Sequence, residues 1–301
     1  MTDIDSKYHG AFSQLHPVTL LFYYLSVLSI SVVTVNPIFT AVTFFGALVY
    51  YIALSDKSRL ARSLLGYFLL IVALTLTNPI FSHHGDTPLF FANGKPVTLE
   101  SICYGGTAAI TITAVLLWCS GLSKCFSSDK IIYLFGRPFP KLALIISMTL
   151  RFIPLFKAEY KRISDCQKTL GMYSSSAVSD KIMSVIKTFS ALVTWILENS
   201  IDTANSMKSR GLGLKNRTTF SLFEFTFRDG AVLVLNLSLI AVVIFSMVAG
   251  SSYYNFYPTM AELPLNILAD AAYLSYSVVV LIPTFFELKE VLTWKRLQSK
   301  I

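Results

Sequence analysis

The sequence predicts an all-α polytopic membrane protein with about six transmembrane helices and a cytoplasmic helical region between the fourth and the fifth. The first observation is composition. Of the 301 residues, 54% are hydrophobic and 14% are charged, with a mean hydropathy of +0.61, whereas about a quarter of the residues in a soluble domain are charged. The second is a set of six apolar stretches close to the roughly 20 residues that a spanning helix needs. The third is charge placement, since 16 of the 25 Lys and Arg residues lie between Lys124 and Arg228.

The six apolar stretches are predicted to cross the membrane in turn. The fourth opens with Thr98 as a helix N-cap and with Glu100 in the first turn, where a carboxylate meets the positive end of the helix dipole. The N-terminus has neither a cationic region nor a small-residue cleavage site, so we expect no cleaved signal peptide. The predicted spans are 17 to 34, 37 to 54, 63 to 81, 100 to 120, 229 to 249 and 269 to 287.

The orientation of the chain follows from the positive-inside rule. The connection 82 to 98 contains one cation, and the connection 250 to 268 contains no Lys or Arg but four aromatic residues, so both are predicted to face outward. The termini and the basic middle region are then cytoplasmic. The predicted divisions are an N-terminal four-span bundle at 1 to 120, cytoplasmic or interfacial coupling helices at 121 to 228, and a C-terminal transmembrane pair with a cytoplasmic tail at 229 to 301.

The sequence lacks motifs for catalysis and for cofactor binding. It contains no G-x-x-x-x-G-K-[ST] phosphate loop, no H-E-x-x-H and no G-x-S-x-G. The four cysteines have no C-x-x-C spacing, and His83-His84 with Asp86 lacks the i, i+4 geometry of a helical metal site, so it is interpreted as a loop. We therefore expect no catalytic residue, metal or cofactor in this chain. The net charge of +8 is explained by the positive-inside rule, and no nucleic acid partner is expected.

The middle region is predicted to contain several amphipathic helices. The first runs from Pro140 to about Phe156. Its apolar part, Lys141 to Leu150, is too short to span and is predicted to lie along or under the membrane, with a seventh span as the alternative. A mostly polar helix continues to Gly171, and Ser179 or Asp180 is predicted to cap the next helix.

The last helix of this region is predicted from Lys181 to Arg210, a length of about 45 Å at roughly 1.5 Å per residue. Gly211 supplies the left-handed residue that ends it, and Arg210 lies in the last turn, where its guanidinium can engage acceptors on another protein. The alternatives are a solvated arginine and an apolar stripe that faces the protein core. The stripe consists of Ile182, Ile186, Phe189, Val193, Ile196, Ala204 and Met207.

A series of short motifs, taken in order, resembles one known family. On these motifs, the chain resembles the T component of energy-coupling factor transporters (the EcfT and CbiQ family), which is the transmembrane coupling subunit of ABC importers for vitamins and transition-metal ions. The motifs are Leu15-His16-Pro17, Asn78-Pro79-Ile80-Phe81, Ser128-Asp129-Lys130, Leu134-Phe135-Gly136-Arg137-Pro138, Leu150-Arg151-Phe152-Ile153-Pro154, Ala204 to Gly213, and Arg228-Asp229.

The resemblance implies two coupling helices, each ending near an Ala-Arg-Gly-like motif that docks into a groove on one of two ATPase subunits. Ser209-Arg210-Gly211 matches the second motif, whereas Thr169-Leu170-Gly171 has leucine at the arginine position of the first. Apolar contact is therefore expected at the first groove, with charge from Lys168 or Arg162. The implied docking residues are Gln167, Lys168, Leu170, Gly171, Met207, Lys208, Ser209, Arg210 and Gly211, with Arg151 and Arg162 supporting the coupling region.

The resemblance also implies the partners and the location. They are two ABC ATPases, as a homo- or heterodimer, a small substrate-binding membrane subunit (S component) and the lipid bilayer of a bacterial or archaeal plasma membrane. ATP and Mg would be bound by the ATPases. The alternatives are a stand-alone secondary carrier, which would require ionisable groups at the membrane midplane, and a membrane scaffold. The transported substrate is not encoded in this chain, because in this family the S component selects it.

Overall fold

A computed structural model of the chain describes residues 10–55, 57–81, 85–92, 95–136, 138–171, 178–214 and 223–298. The chain forms two compact units. The bundle unit comprises residues 1–130 and 223–301, and the middle unit comprises residues 131–222. Within the described residues, the α-helices are α1 (Pro17–Val33), α2 (Pro37–Leu54), α3 (Lys57–Phe81), α4 (Leu99–Cys125), α5 (Ser128–Gly136), α6 (Pro140–Thr169), α7 (Val178–Ser209), α8 (Phe227–Val248) and α9 (Ile267–Gln298).

Six helices of the bundle unit coincide with the predicted spans, so the predicted all-α membrane fold is confirmed. In the described residues, five are long and apolar enough to cross a membrane, and α1 is a shorter apolar helix of 17 residues. The predicted cap of the fourth span is also correct, since the Ser101 amide donates to Thr98 Oγ1 at 3.3 Å. Helix α2 packs on α4 and α9, α3 packs on α4, and α1 packs on α4 and α8. The helices thus enclose one core.

One connection contains a β-hairpin that the sequence analysis did not predict. Strands β1 (Pro88–Ala92) and β2 (Lys95–Thr98) pair antiparallel, with Ala92 opposite Lys95. The Asn93-Gly94 pair between them is a sequence signal for a tight hairpin turn, and it was overlooked in a segment interpreted as a loop. Asp86 lies just before β1, while His83 and His84 fall outside the described residues.

The core of the bundle unit is rich in aromatic residues. Tyr23, Tyr24 and Tyr50 are at most 1% exposed and surround Trp118, which is fully buried. The Tyr24 and Tyr50 hydroxyls are 3.1 Å apart, and both contact the thiol of Cys125. Buried hydroxyl groups are stable only when they are hydrogen-bonded, and here they satisfy one another.

A 3₁₀ turn at Ala11–Gln14 places Phe12 in this aromatic cluster. Phe12 is fully buried, and its ring centroid lies 5.1 Å from that of Tyr23, 6.2 Å from that of Tyr24, 6.4 Å from that of Tyr50 and 6.0 Å from that of Phe286. The turn therefore contributes a side chain to the centre of the unit, although it precedes the first span.

Three charged side chains from separate helices hold the segment around this turn. Lys130 Nζ donates to the Ser13 carbonyl and, at 2.8 Å, to the Cys125 carbonyl. The Phe12 amide donates to Glu287 at 3.3 Å, and the His16 amide donates to Asp229 at 2.9 Å. Burial lowers the pKa of the Lys130 ammonium below its ordinary value. The segment is thus tied to α5, α9 and α8.

The middle unit is built around α6 and α7, which run in opposite directions. Thr188 donates a hydrogen bond to Gln167, and the Phe156 and Trp195 ring centroids are 6.3 Å apart. The earlier residue of α6 thus contacts the later residue of α7, as expected for antiparallel helices. Helix α6 is a single 30-residue helix that continues through Pro154, whereas the sequence suggested two successive segments.

The predicted start of α7 was wrong. The helix begins at Val178, so Ser179 and Asp180 lie in its first turn and do not cap it. A hydroxyl or carboxylate is also favourable in the first turn, where it meets free amides and the positive end of the dipole. The sequence pattern alone therefore does not distinguish the two placements.

Candidate docking tips on the middle unit

Two helix ends in the middle unit have the same backbone geometry. We call residues 167–171 the first tip and residues 207–211 the second tip. Gly171 and Gly211 follow their helices in the left-handed region, with φ of +77° and +85°. At the first tip the Gly171 amide donates to the Lys168 carbonyl, and at the second the Gly211 amide donates to the Lys208 carbonyl, both at 3.0 Å. Both glycines therefore close their helices with the same capping hydrogen bond, one of the two found in the Schellman motif.

The second tip shows this cap in full. The Leu212 amide donates to the Met207 carbonyl at 3.0 Å, which is the second hydrogen bond of the motif. An added Cβ on Gly211 would lie 2.9 Å from a Leu214 methyl group, so the position is restricted by contact as well as by φ. The cap fixes where the chain turns away from α7, and it leaves the last helical side chains projecting.

Leu170 and Arg210 occupy equivalent positions, each directly before the capping glycine. The preceding residues are also equivalent, since the hydroxyls of Thr169 and Ser209 each donate to a carbonyl one turn back, at 2.7 Å and 3.0 Å. Leu170 is 78% exposed, and Arg210 is exposed as well. The two tips therefore present different chemistry, one apolar and one cationic, from the same backbone frame.

The cations near the first tip are paired with acids of their own helix. Lys168 lies 3.2 Å from Asp165, and Arg162 lies 3.3 Å from Glu159. The Lys168–Asp165 pair is exposed, and Arg162 of the other pair is exposed while Glu159 is half-buried. Ion pairs at the surface contribute little to stability, from about 0 to 1 kcal/mol. Their effect is to balance the charge beside Leu170. For Lys168 or Arg162 to contribute charge to docking, as expected from the sequence, its ion pair would have to open or its cation would have to contact the partner and the acid at the same time.

The second tip has a different electrostatic character. Within the described residues, neither Lys208 nor Arg210 forms an ion pair. Both lie at the C-terminal end of α7, where the partial negative charge of the helix favours a cation. The second tip therefore offers two positive charges to a partner.

The two tips lie at opposite ends of the α6–α7 pair. The first tip is level with the start of α7, where Gln167 meets Thr188. From Thr188 to Arg210, α7 advances about 20 residues, or roughly 30 Å along its axis. The two tips are therefore separate exposed surfaces of the middle unit.

The predicted apolar stripe on α7 does not face α6. The side of α7 that is buried consists of Ser184, Thr188 and Leu192 at four-residue spacing. By contrast, the side chains of the stripe are open to the surroundings. Their exposed fractions are 56% for Ile182, 55% for Ile186, 61% for Phe189 and 37% for Val193. The interpretation of the stripe as a core face is therefore wrong for this half of the helix, and the small polar residues that do pack were missed because they are not hydrophobic.

The other coupling-region residues lie along α6. Arg151 is exposed in the first half of α6, and Arg162 is held by Glu159 in the second half. Sequence analysis did not predict the Phe156–Trp195 ring contact that joins the helices. Both residues lie in apolar stretches of their helices, so the sequence offered no signal that singled out this pair.

Among the residues that the structure describes, no group of three or more His, Cys, Asp or Glu side chains could hold a metal ion. The exposed groups at the tips are the apolar side chain of Leu170, the guanidinium of Arg210 and the ammonium of Lys208.

Comparison with known proteins identifies relatives of this chain. A family model described as CbiQ, cobalt transport protein, matches residues 11–220. The transmembrane protein EcfT of the energy-coupling factor transporter from Listeria innocua is 29% identical over 205 residues, covering 62% of this chain and 76% of the relative. The EcfT protein from Bacillus subtilis is 28% identical over 110 residues, which cover 36% of this chain and 42% of the relative. The EcfT protein from Leuconostoc gelidum is 30% identical over 92 residues, which cover 30% of this chain and 34% of the relative. The last two matches span less than half of those relatives.

Proposed function

Because the chain belongs to the CbiQ/EcfT family and is a multi-pass membrane component of an energy-coupling factor transporter, we propose that it is the subunit that couples two ATPases to a separate substrate-binding membrane subunit. The ATPases dock at the first and second tips. ATP and Mg are bound in those partners, and this chain holds no ATPase site. The substrate taken up is a vitamin or a transition-metal ion, selected by the substrate-binding subunit.

The observation that carries this proposal is the pair of tips with one shared backbone frame. Two exposed helix ends, equally capped and about 30 Å apart along α7, provide two separate docking points on one rigid frame. A rigid-body movement of two ATPases on ATP binding would then move both ends of the α6–α7 pair. A carrier that works alone has no need for such ends.

The two docking contacts differ in chemistry. Arg210 and Lys208 are complementary to a groove that carries carboxylates, and a desolvated arginine pair costs about 2 to 5 kcal/mol to break from one side. Leu170 is complementary to an apolar pocket, where a fully buried leucine contributes about 1.5 to 3 kcal/mol. The contact at the first tip is therefore expected to be mainly hydrophobic, and the contact at the second tip mainly electrostatic. Added salt should weaken ATPase binding at the second tip more than at the first.

The exposed stripe of α7 supplies the third contact. Ile182, Ile186 and Phe189 present exposed apolar surface on a side of α7 that does not pack on α6. We assign this surface to the substrate-binding subunit, which is itself a membrane protein and can cover apolar side chains. The middle unit and both termini lie on the cytoplasmic side in this arrangement, in a bacterial or archaeal plasma membrane.

The decisive experiment is co-purification from cells that express the tagged chain with the ATPase genes of its own genome. Arg210→Glu is expected to remove one ATPase from the complex and to abolish uptake. Lys157→Glu is the matched control, because it makes the same charge change at an exposed position in the middle of α6, away from both tips. If Arg210→Glu retains normal amounts of both ATPases and normal uptake, the docking role is wrong. Transport by the purified chain alone in liposomes would instead support a stand-alone carrier.

A further inference from the structure

A cleft of about 460 Å³ opens at one end of the bundle unit. Its walls are Val33 at the end of α1, residues 34–36, which connect α1 to α2, Tyr104 near the start of α4, Met247 at the end of α8, and residues 252–257, which follow α8. The volume falls in the range of about 300 to 1,000 Å³ that is typical of small-ligand sites. The cleft lies wholly within the bundle unit and has no part in the coupling proposed above.

The cleft is lined by aromatic rings that hold one another in place. The Tyr104 ring centroid lies 5.5 Å from that of Phe256 and 5.6 Å from that of Tyr257, and Tyr254 lies 4.7 Å from Phe256. Phe256 is buried, while the three tyrosines are half-buried. A half-buried ring fixed by neighbours leaves part of its electron-rich face open at little entropic cost. The rings therefore form a preformed aromatic wall.

The floor of the cleft is fixed by Asn36, which is 2% exposed. Its amide nitrogen donates to the Ser252 carbonyl at 3.0 Å and to the Tyr273 hydroxyl at 2.9 Å, while its amide oxygen accepts from the Ile38 amide at 2.9 Å. These bonds attach the 252–257 segment to the turn between α1 and α2. The position of the 252–257 segment, and with it the shape of the cleft, is therefore fixed by hydrogen bonds within the chain.

The segments that contribute most of the lining carry no Lys or Arg. None occurs in residues 10–56 or 229–288. Glu262 lies in the connection before α9, and Asp270 lies in the first turn of α9, one helical turn before Tyr273, the hydrogen-bond partner of Asn36; both carboxylates are exposed. An anion therefore finds no Lys or Arg on these segments, whereas a cation meets the aromatic faces.

We propose that this aromatic cleft binds the ammonium group of a zwitterionic phospholipid. Aromatic rings attract alkylammonium ions through the negative faces of the rings. The cleft lies at the ends of the spanning helices α1, α2 and α8, which is the depth at which headgroups and tyrosines meet in a membrane. The lipid is therefore the source of the cation, with its acyl chains along the apolar helix surface.

The test is native mass spectrometry of the purified full chain in detergent, with dihexanoylphosphatidylethanolamine and dihexanoylphosphatidylglycerol as competing probes. The wild-type chain is expected to retain the ethanolamine lipid in preference to the glycerol lipid. Tyr104→Leu removes one ring face and is expected to weaken this binding by about fivefold, while Tyr104→Phe, which keeps the ring, binds normally. Phe245→Leu changes an exposed ring of α8 outside the cleft and serves as the control.

Several outcomes would overturn the proposal. Equal retention of both lipids would show that the ammonium is not recognised, and unchanged binding in both Tyr104→Leu and Tyr254→Leu would show that the rings do not bind it. Free tetramethylammonium that binds as tightly as the lipid would show that a soluble cation, and not a lipid, is the ligand. The melting temperature of each variant is measured alongside, because an unfolded variant also loses binding. A loss of binding by Tyr104→Leu supports the proposal only if Tyr254→Leu, shown by its melting temperature to be folded, also loses binding.

Discussion

Replacing Phe12 with alanine tests whether the 3₁₀ turn before the first span is part of the core. Phe12 is fully buried and its ring contacts four aromatic residues. Truncating a buried Phe to Ala costs about 3 to 5 kcal/mol, because the surrounding side chains collapse only in part into the cavity. The apparent melting temperature should therefore decrease by an amount on the order of 10 °C.

The assay is thermal denaturation of the purified chain in detergent, followed by the fraction that remains monodisperse on size-exclusion chromatography. Phe245→Ala is the matched control, since it removes the same ring from α8 at a position that is 64% exposed. That ring faces lipid or detergent, so its loss leaves no cavity, and the change should be below about 1 kcal/mol. If Phe12→Ala is no more destabilising than Phe245→Ala, the turn does not pack as described.

Three further predictions concern the tips and the buried lysine. Leu170→Asp should remove the ATPase at the first tip, whereas Leu170→Met should retain it; equal co-purification of both ATPases with the two variants would show that the first tip is inert. Gly211→Ala should strain the left-handed cap by about 1 kcal/mol and speed amide hydrogen exchange in the last turn of α7. Gly66→Ala is the control, because an added Cβ there meets nothing within 4 Å, and it should not affect exchange in that turn. Unchanged protection of the turn in Gly211→Ala would contradict the cap. Lys130→Met should free the segment around Ser13 and increase its cleavage by a protease under native conditions, and cleavage at the wild-type rate would argue that the ammonium does not hold it.

The helices of the bundle unit could be predicted because each one carries its own signal. A span must be long and apolar whatever it packs against, so α2 was predicted with the observed limits, 37 to 54. The exact ends of other helices could not be predicted in this way. Helix α9 continues to Gln298, beyond the predicted limit of 287, because a helix can extend into water once its polar side chains are solvated.

The features that were missed depend on contacts between distant parts of the chain. Phe12 gives no local sign that it enters an aromatic cluster formed by three helices. On α7, hydrophobic periodicity indicated a face containing Ile186, whereas the face that packs contains Ser184 and Thr188. The positions of the two tips followed from the glycines that end α6 and α7, but their equivalence became visible only in the hydrogen bonds of the caps.

The packing between α6 and α7 has a mechanical consequence. Ser184 and Thr188 contribute small side chains near the first tip, whereas Phe156 and Trp195 contribute two large rings that join α6 and α7 nearer the middle of the pair. Large side chains that interlock resist rotation of one helix against another, so the ring contact holds the two helices together at this point. A force applied at one tip is therefore passed along the pair to the other tip, because the two helices move as one body.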